Sequence, residues 1–360
     1  MMKAKHKTRQ PISIKKQAGI HDADQQRVRI IAVGGGKGGA GKSLVSVALG
    51  LTLSLQKKKV VLIDADLSSP SLHHLFEKNG DSIALANNCK RKTDFPFYRT
   101  KFQNLILLSA YAGVLGISDY IDGRHHILIK KLRKINADFI ILDLGSGYSK
   151  FSVQLFNTAD EMLVIVNPEP MSILETFGFI KTCQYQMLRD TYVNHPRLIN
   201  YIESAYTNYD FNKFRLVRRF VKQQDIENDH SILKPKLILN MLHQDDEKQD
   251  ILALQIACKE LLGVRVEHIC NIHYHENIRA CIKSRQLDHL IEIPEFENLA
   301  QKVLTDSKPS SRNFKLQNHA SLKHKDVICS CRCSLWDNCT YQRGGYPCRI
   351  KYIGYINTST

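Results

Sequence analysis

Two lysines five positions apart stand in a glycine-rich run, Gly34-Gly35-Gly36-Lys37-Gly38-Gly39-Ala40-Gly41-Lys42-Ser43, directly after the apolar residues Ile30-Ile31-Ala32-Val33. The run satisfies two templates. Gly34-x-Gly36-x-x-Gly39, with Asp64 ending a later apolar run, imitates a dinucleotide fingerprint. Gly36-x-x-x-x-Gly41-Lys42-Ser43 has the spacing of a P-loop. In a P-loop, backbone N–H groups and a helix N-terminus hold phosphate oxygens. The lysine reaches the β/γ-phosphates, and the serine hydroxyl ligates Mg²⁺. A dinucleotide loop has no use for Gly-Lys-Ser at this place, so the P-loop reading prevails. It makes Gly38, Gly39, Ala40, Gly41, Lys42, Ser43 and Leu44 the phosphate-cradling positions. Lys37 is surplus to that template.

Carboxylates complete the chemistry. Phe139-Ile140-Ile141-Leu142-Asp143 is an apolar run ending in an acid, suited to hold Mg²⁺ or its waters together with Ser43. Val60-Val61-Leu62-Ile63-Asp64-Ala65-Asp66 puts two more acids where ligands of open parallel sheets bind. Any of the three could instead cap a helix or turn. That plain role is the weaker reading for Asp66 and Asp143, and it stays open for Asp64.

These residues need a scaffold, and the hydrophobic pattern predicts one. Strands are expected at Arg29–Val33, Val60–Asp64, Leu105–Ser109, Phe139–Asp143, Met162–Val166, Lys236–Asn240 and Val266–Ile272. Most are nearly continuous in Val, Ile and Leu, as strands covered on both faces require. Helical periodicity fits Lys42–Gln56, His126–Asn136, Ser172–Arg189, Lys248–Leu262 and Glu276–Ser284. The alternation predicts an α/β fold: a doubly wound, mostly parallel sheet of about 7–8 strands in a P-loop NTPase domain over 28–306. Residues 190–234 interrupt the alternation with a polar insert. Within it Phe211, Phe214, Val217, Phe220 and Val221 recur three or four apart, which predicts an amphipathic helix with a cationic face. It could pack on the domain or meet a membrane or partner.

The chain has 360 residues, a formal net charge of +16 and ten cysteines. Residues 1–30 hold eight Lys/Arg against two Asp, and residues 307–360 hold nine against two, so the central body is nearly balanced. Basic ends suit nucleic acid, anionic lipid or an acidic partner, or serve solubility alone. No secretory signal and no membrane-spanning run is evident, which predicts a cytoplasmic protein. Residues 1–27 read as a flexible basic segment and 307–325 as a linker. In the tail, 326–360, Cys329, Cys331, Cys333, Cys339 and Cys348 crowd within 20 residues. Such crowding fits Zn²⁺ held by four thiolates or an iron–sulfur cluster, although the spacing is not that of paired C-x2-C sites. A small fold or redox-reactive thiols without metal is the other reading. Cys89, Cys183, Cys258, Cys270 and Cys281 are scattered and read as packing residues.

Lys37-Gly38-Gly39-Ala40-Gly41-Lys42-Ser43 resembles the deviant Walker A motif, KGGxGK[ST], of the MinD/ParA class of ATPases. Asp64-Ala65-Asp66 matches that class's second motif, and Asp143-Leu144-Gly145-Ser146-Gly147 its Walker B and switch region. Asn167-Pro168-Glu169-Pro170-Met171-Ser172 resembles the strand-end segment that follows. Lys236–Asn240 looks like the strand whose last residue, here Asn240, contacts adenine. The resemblance spans roughly residues 28–305 and is nearest to the FlhG branch of flagellar-number regulators.

The resemblance implies an ATP-hydrolysing switch that dimerises with ATP and Mg²⁺. Lys37 would reach the phosphates of the partner subunit, Asp66 would position the attacking water, and Asp143 with Ser43 would hold Mg²⁺. It also implies a protein partner in flagellar or polar machinery, with a peripheral position at the inner membrane face as a further option. A DNA-partitioning ATPase using the basic ends and an Mrp-type iron–sulfur carrier are the alternatives. In relatives a proline usually stands beside the base, and here that position holds His273.

Overall fold

The computed structural model describes residues 27–66, 70, 72–76, 97–109, 125–208, 210–224, 232–243 and 249–305. A strand nearly continuous in apolar residues must be covered on both faces, and four such strands form the middle of the sheet. They are β1 (Arg29–Gly34), β2 (Val60–Ala65), β5 (Phe139–Leu144) and β6 (Glu161–Val166), each buried along its whole length. With β3 (Phe97–Arg99), β4 (Leu105–Ser109), β7 (Lys236–Leu242) and β8 (Glu267–His273), they form one eight-stranded sheet. Its order is β3-β4-β2-β5-β1-β6-β7-β8. Every neighbouring pair is parallel except β3 with β4. This is the doubly wound, mostly parallel α/β sheet expected from the sequence.

Strand alternation divides the core in two. Ile31 and Val33 of β1 face α1 (Lys42–Leu55), α9 (Glu276–Ser284) and α10 (Pro294–Thr305). Ile30 and Ala32 face the other side, where α3 (His125–Leu132), α4 (Lys150–Thr158), α5 (Pro170–Thr191) and α8 (Gln249–Ala257) pack. A short helix, α2 (Leu72–Phe76), follows β2, and α8 continues into a single π turn, Cys258–Leu262. The chain winds from β1 outward through β2 and β4, returns to β5 beside β1, and then crosses to β6 on the far side. The order therefore reverses around β1, and ligands of such sheets bind outside the strand ends at this crevice. Register sets the level: Val33 pairs with Asp143, and Asp143 with Asp64.

The insert contains two helices, α6 (Pro196–Thr207) and α7 (Phe211–Gln224), where periodicity predicts one. Asp210 begins α7 by accepting the N–H groups of Asn212 and Lys213 at 3.0 and 3.1 Å. Phe214 and Val217 are each 3% exposed, and the Phe214 ring meets Tyr206 of α6 edge-on at 4.7 Å. Burying a side chain of this size is worth about 1.5–3 kcal/mol. Phe214 and Val217 are therefore spent within the fold, packing α7 on its neighbours. Among the described residues no helix is long and apolar enough to cross a membrane. Cys183, Cys258, Cys270 and Cys281 are buried free thiols, as packing residues should be. Cys89 and the tail cysteines Cys329, Cys331, Cys333, Cys339 and Cys348 lie outside the described residues.

Candidate functional site

The loop between β1 and α1 sits at the reversal point, and its conformation demands glycine. Gly41 has φ +94°, in the left-handed region, and a Cβ there would lie 2.0 Å from the Asn240 Nδ2. Any side chain at Gly41 meets both backbone strain and a collision. The reason for the crowding is a tether: the Asn240 amide donates to the Ala40 carbonyl at 2.8 Å, and Asn240 is 1% exposed. The last strand before the edge thus fixes the loop through a bond spanning 200 residues of sequence. Met241, directly after Asn240, takes φ +57°, beside a register irregularity between β7 and β8. A non-glycine residue in that region costs on the order of 1 kcal/mol or more, and such strain clusters at functional sites.

Lys42 opens α1 and is buried, at 7% exposed. Its ammonium donates to the Lys37 carbonyl at 3.0 Å. Burial pushes its pKa down, while the nearby carboxylates of Asp143, Asp66 and Glu175 oppose that shift. Asp143, 2% exposed at the end of β5, accepts a hydrogen bond from Ser46 Oγ at 2.9 Å. Burial raises its carboxyl to about 7, with the Ser43 and Ser46 hydroxyls holding it down and Asp64 adding repulsion. Ser46 was not singled out in the sequence, although its i+3 spacing from Ser43 puts both hydroxyls on one side of α1.

Asp64 and Asp66 part company. Asp64 is 1% exposed and accepts the N–H groups of Asp66 at 3.3 Å and Leu72 at 2.9 Å, so it orders the backbone leading into α2. That is the plain role the sequence left open. Asp66 is only half-buried and lies against the switch segment: a Cβ at Gly145 would come within 2.8 Å of its carboxylate. The switch segment is itself joined to the loop, Gly147 N–H donating to Gly36 O at 3.0 Å.

Lys37 lies apart from these groups. Its ammonium pairs with the Glu169 carboxylate at the start of α5, and the Asn167 amide donates to the other Glu169 oxygen at 3.1 Å. The Lys37 side chain is 27% and the Glu169 side chain 58% exposed. Just beyond β7, His243 stacks on Tyr274 with ring centroids 4.9 Å apart. His273, where a proline was expected, directs Nδ1 to Glu295 at 3.0 Å.

The residues present fit a magnesium nucleotide. The N-terminus of α1 carries no side-chain cap and no acid in its first turn. A helix start leaves N–H donors without intrahelical partners, and those donors with the dipole favour an anion. Ser43 and Asp143 supply hard oxygen ligands, and Mg²⁺ ordinarily takes one or two protein oxygens, phosphate oxygens and water. No group of three His, Cys, Asp or Glu side chains suited to a metal occurs among the described residues, so no all-protein metal cage is built there.

The sheet order and the loop define an α/β P-loop NTPase fold. Residues 26–189, somewhat less than half of the chain, match the ParA family model described as "NUBPL iron-transfer P-loop NTPase". No curated protein sequence matches the chain. Among solved structures, the cell division ATPase MinD of Pyrococcus furiosus is similar at 18% identity and a TM-score of 0.50, over 78% of this chain and 99% of that one. A chain of the MinC:MinD cell division complex of Aquifex aeolicus matches at 18% identity and a TM-score of 0.50, covering 79% and 99%. At that identity the likeness is one of fold.

Proposed function

We propose that this chain is an ATP-hydrolysing switch that closes into a homodimer when ATP and Mg²⁺ are bound, and that the dimer positions a cellular assembly. The observation that carries the reading is the unequal placement of the two loop lysines. Lys42 is buried beside carboxylates of its own chain, whereas the Lys37 side chain is 27% exposed and pairs with the partly exposed Glu169. A second, solvent-accessible cation beside the cradle would serve a neighbouring subunit as an arginine finger does, and it would tie hydrolysis to assembly. Ser43 and Asp143 hold Mg²⁺, and the loop N–H groups with Lys42 hold the phosphates. Asp66, beside the switch segment, orients the attacking water. Held by Ser43 and Asp143, Mg²⁺ would supply charge neutralisation at the phosphates. Asn240, which fixes the loop through the Ala40 carbonyl, would also contact the base, as the resemblance implies.

The motifs of the loop and switch favour flagellar placement or number as the assembly controlled, at the cytoplasmic face of the inner membrane. Sedimentation velocity of the full chain tests the dimer: with Mg-ATP the protein should double in mass, and with ADP it should not. A species that remains monomeric at high concentration with ATP overturns the reading.

A second reading has one observation of its own. The family model matching residues 26–189 is named for iron transfer. As an iron–sulfur carrier the chain would hold its cargo on the tail thiolates Cys329, Cys331, Cys333, Cys339 and Cys348. Visible absorbance with bound iron, lost when these cysteines are replaced by serine, would favour it. A partitioning role would show instead as DNA affinity that falls steeply with salt.

A further inference from the structure

Helix α5 carries Gly178 in its interior. Glycine is a poor helix former, so an interior one calls for a packing reason. A Cβ at Gly178 would lie 2.9 Å from the Tyr148 hydroxyl oxygen and 3.3 Å from the ring carbon that bears it. The bare backbone at this point is therefore a seat for the tyrosine. The same hydroxyl donates to the carbonyl of Glu175, also on α5, at 3.2 Å. That carbonyl meets the phosphate loop as well, because a Cβ at Gly36 would come within 2.1 Å of it. The loop, the switch segment and α5 thus converge on the Glu175 backbone.

Tyr148 belongs to the short stretch between β5 and α4, Gly145-Ser146-Gly147-Tyr148-Ser149. Two glycines leave that stretch little conformational preference of its own. Gly147 takes φ +87°, in the left-handed region. The shape is set by anchors: Gly147 N–H bonds to Gly36, Ser149 caps α4, and the Tyr148 ring lies on α5. At the other end Gly145 packs against the Asp66 carboxylate. We propose that Tyr148 is a positioning residue for ATP hydrolysis: seated over Gly178, it clamps the switch segment between the loop and α5 and so holds Gly145 against Asp66. The proposal rests on the hydrolytic reading above, in which Asp66 orients the attacking water. Tyr148 acts through the backbone it anchors, without touching the nucleotide.

The contacts bound the size of the effect. Tyr148 is 46% exposed, so replacing it uncovers little core and the fold should survive. A hydrogen bond such as that to Glu175 shifts an equilibrium by roughly two- to tenfold. Gly178→Ala attacks the same contact from the other side. Alanine suits a helix interior better than glycine, while its methyl group evicts the ring. The helix should therefore remain and the seat be lost.

The test is steady-state ATP turnover of the full chain, read beside ADP affinity by calorimetry and ATP-dependent mass by sedimentation velocity. Tyr148→Ala should lower kcat by about three- to tenfold, with ADP affinity within about twofold of wild type and the dimer intact. Tyr148→Phe keeps the ring and should lose less. Gly178→Ala should lower kcat as Tyr148→Ala does, and in the double variant the second change should add nothing, since both remove one contact. An unchanged kcat in Tyr148→Ala overturns the proposal, and so do losses that multiply in the double variant. A parallel fall in ADP affinity or loss of the dimer also overturns it, since Tyr148 would then serve the cradle or the interface. All of these outcomes leave the hydrolytic reading standing as long as wild type turns over ATP. A wild type without turnover removes that reading and the proposal together.

Discussion

The loop places two like residues in opposite surroundings, and under the reading proposed above the contrast separates the chemistry a chain performs on its own nucleotide from the chemistry it offers another. Lys42 is 7% exposed, its pKa pushed down by burial, and it sits near Asp143, Asp66 and Glu175. Lys37 has a side chain 27% exposed and pairs with a carboxylate that is itself 58% exposed. Electrostatic interactions strengthen as water is excluded, so the buried cation is costly to place and strong once paired. The outer one is cheap to place and weakly held, which suits a group that must change partners. The same division runs through the acids: Asp64 and Asp143 are buried at 1% and 2%, whereas Asp66 is half-buried beside Gly145.

Four substitutions sharpen or break that contrast, from the largest effect downward. Replacing Asp66 by Asn should slow ATP turnover by about 10²–10⁴-fold while the ATP-bound dimer still forms. Unchanged turnover would move the water-positioning role to another carboxylate. Lys42→Ala removes a charged hydrogen-bond donor from the cradle and should weaken ATP binding to the monomer roughly 10- to 100-fold, read by titration calorimetry. An affinity within twofold of wild type would erase the distinction between the two lysines. Asn240→Leu leaves the buried Ala40 carbonyl without its 2.8 Å partner. It should cost about 1–3 kcal/mol in denaturant unfolding and loosen the loop. The smallest effect belongs to the outer pair: Lys37→Ala should change unfolding stability by less than about 1 kcal/mol, because partly exposed ion pairs contribute little. A loss several times larger would mean that Lys37 supports the fold.

The sequence already carried the parts with local causes. Continuous Val, Ile and Leu runs gave the central strands, because a strand covered on both faces has no polar side to confuse the pattern. The P-loop and the terminal acids were legible because their spacing is set by a ligand. The three-residue antiparallel β3 was not, since Phe97-Tyr98-Arg99 is too short to show a period. Helix α4 was also passed over, although Ser149, which caps it by accepting the Ser152 N–H at 3.1 Å, stood in plain view. Helices α6 and α10 were missed as well; the first lay in the polar insert, where a single helix was expected. The long-range contacts left no trace at all. Nothing near Glu169 announces that it meets Lys37, 132 positions away, and nothing near Asn240 announces its bond to Ala40. Such contacts follow from strand order, and the side chains that make them carry no local periodicity.

The central claim is that Lys37 acts across a subunit interface, and one measurement addresses it directly: the mass of Lys37→Ala in sedimentation velocity at saturating Mg-ATP, alongside its ATP affinity as a monomer. The account predicts ATP binding within a few-fold of wild type and no dimer. A Lys37→Ala protein that binds ATP and dimerises like wild type would contradict it.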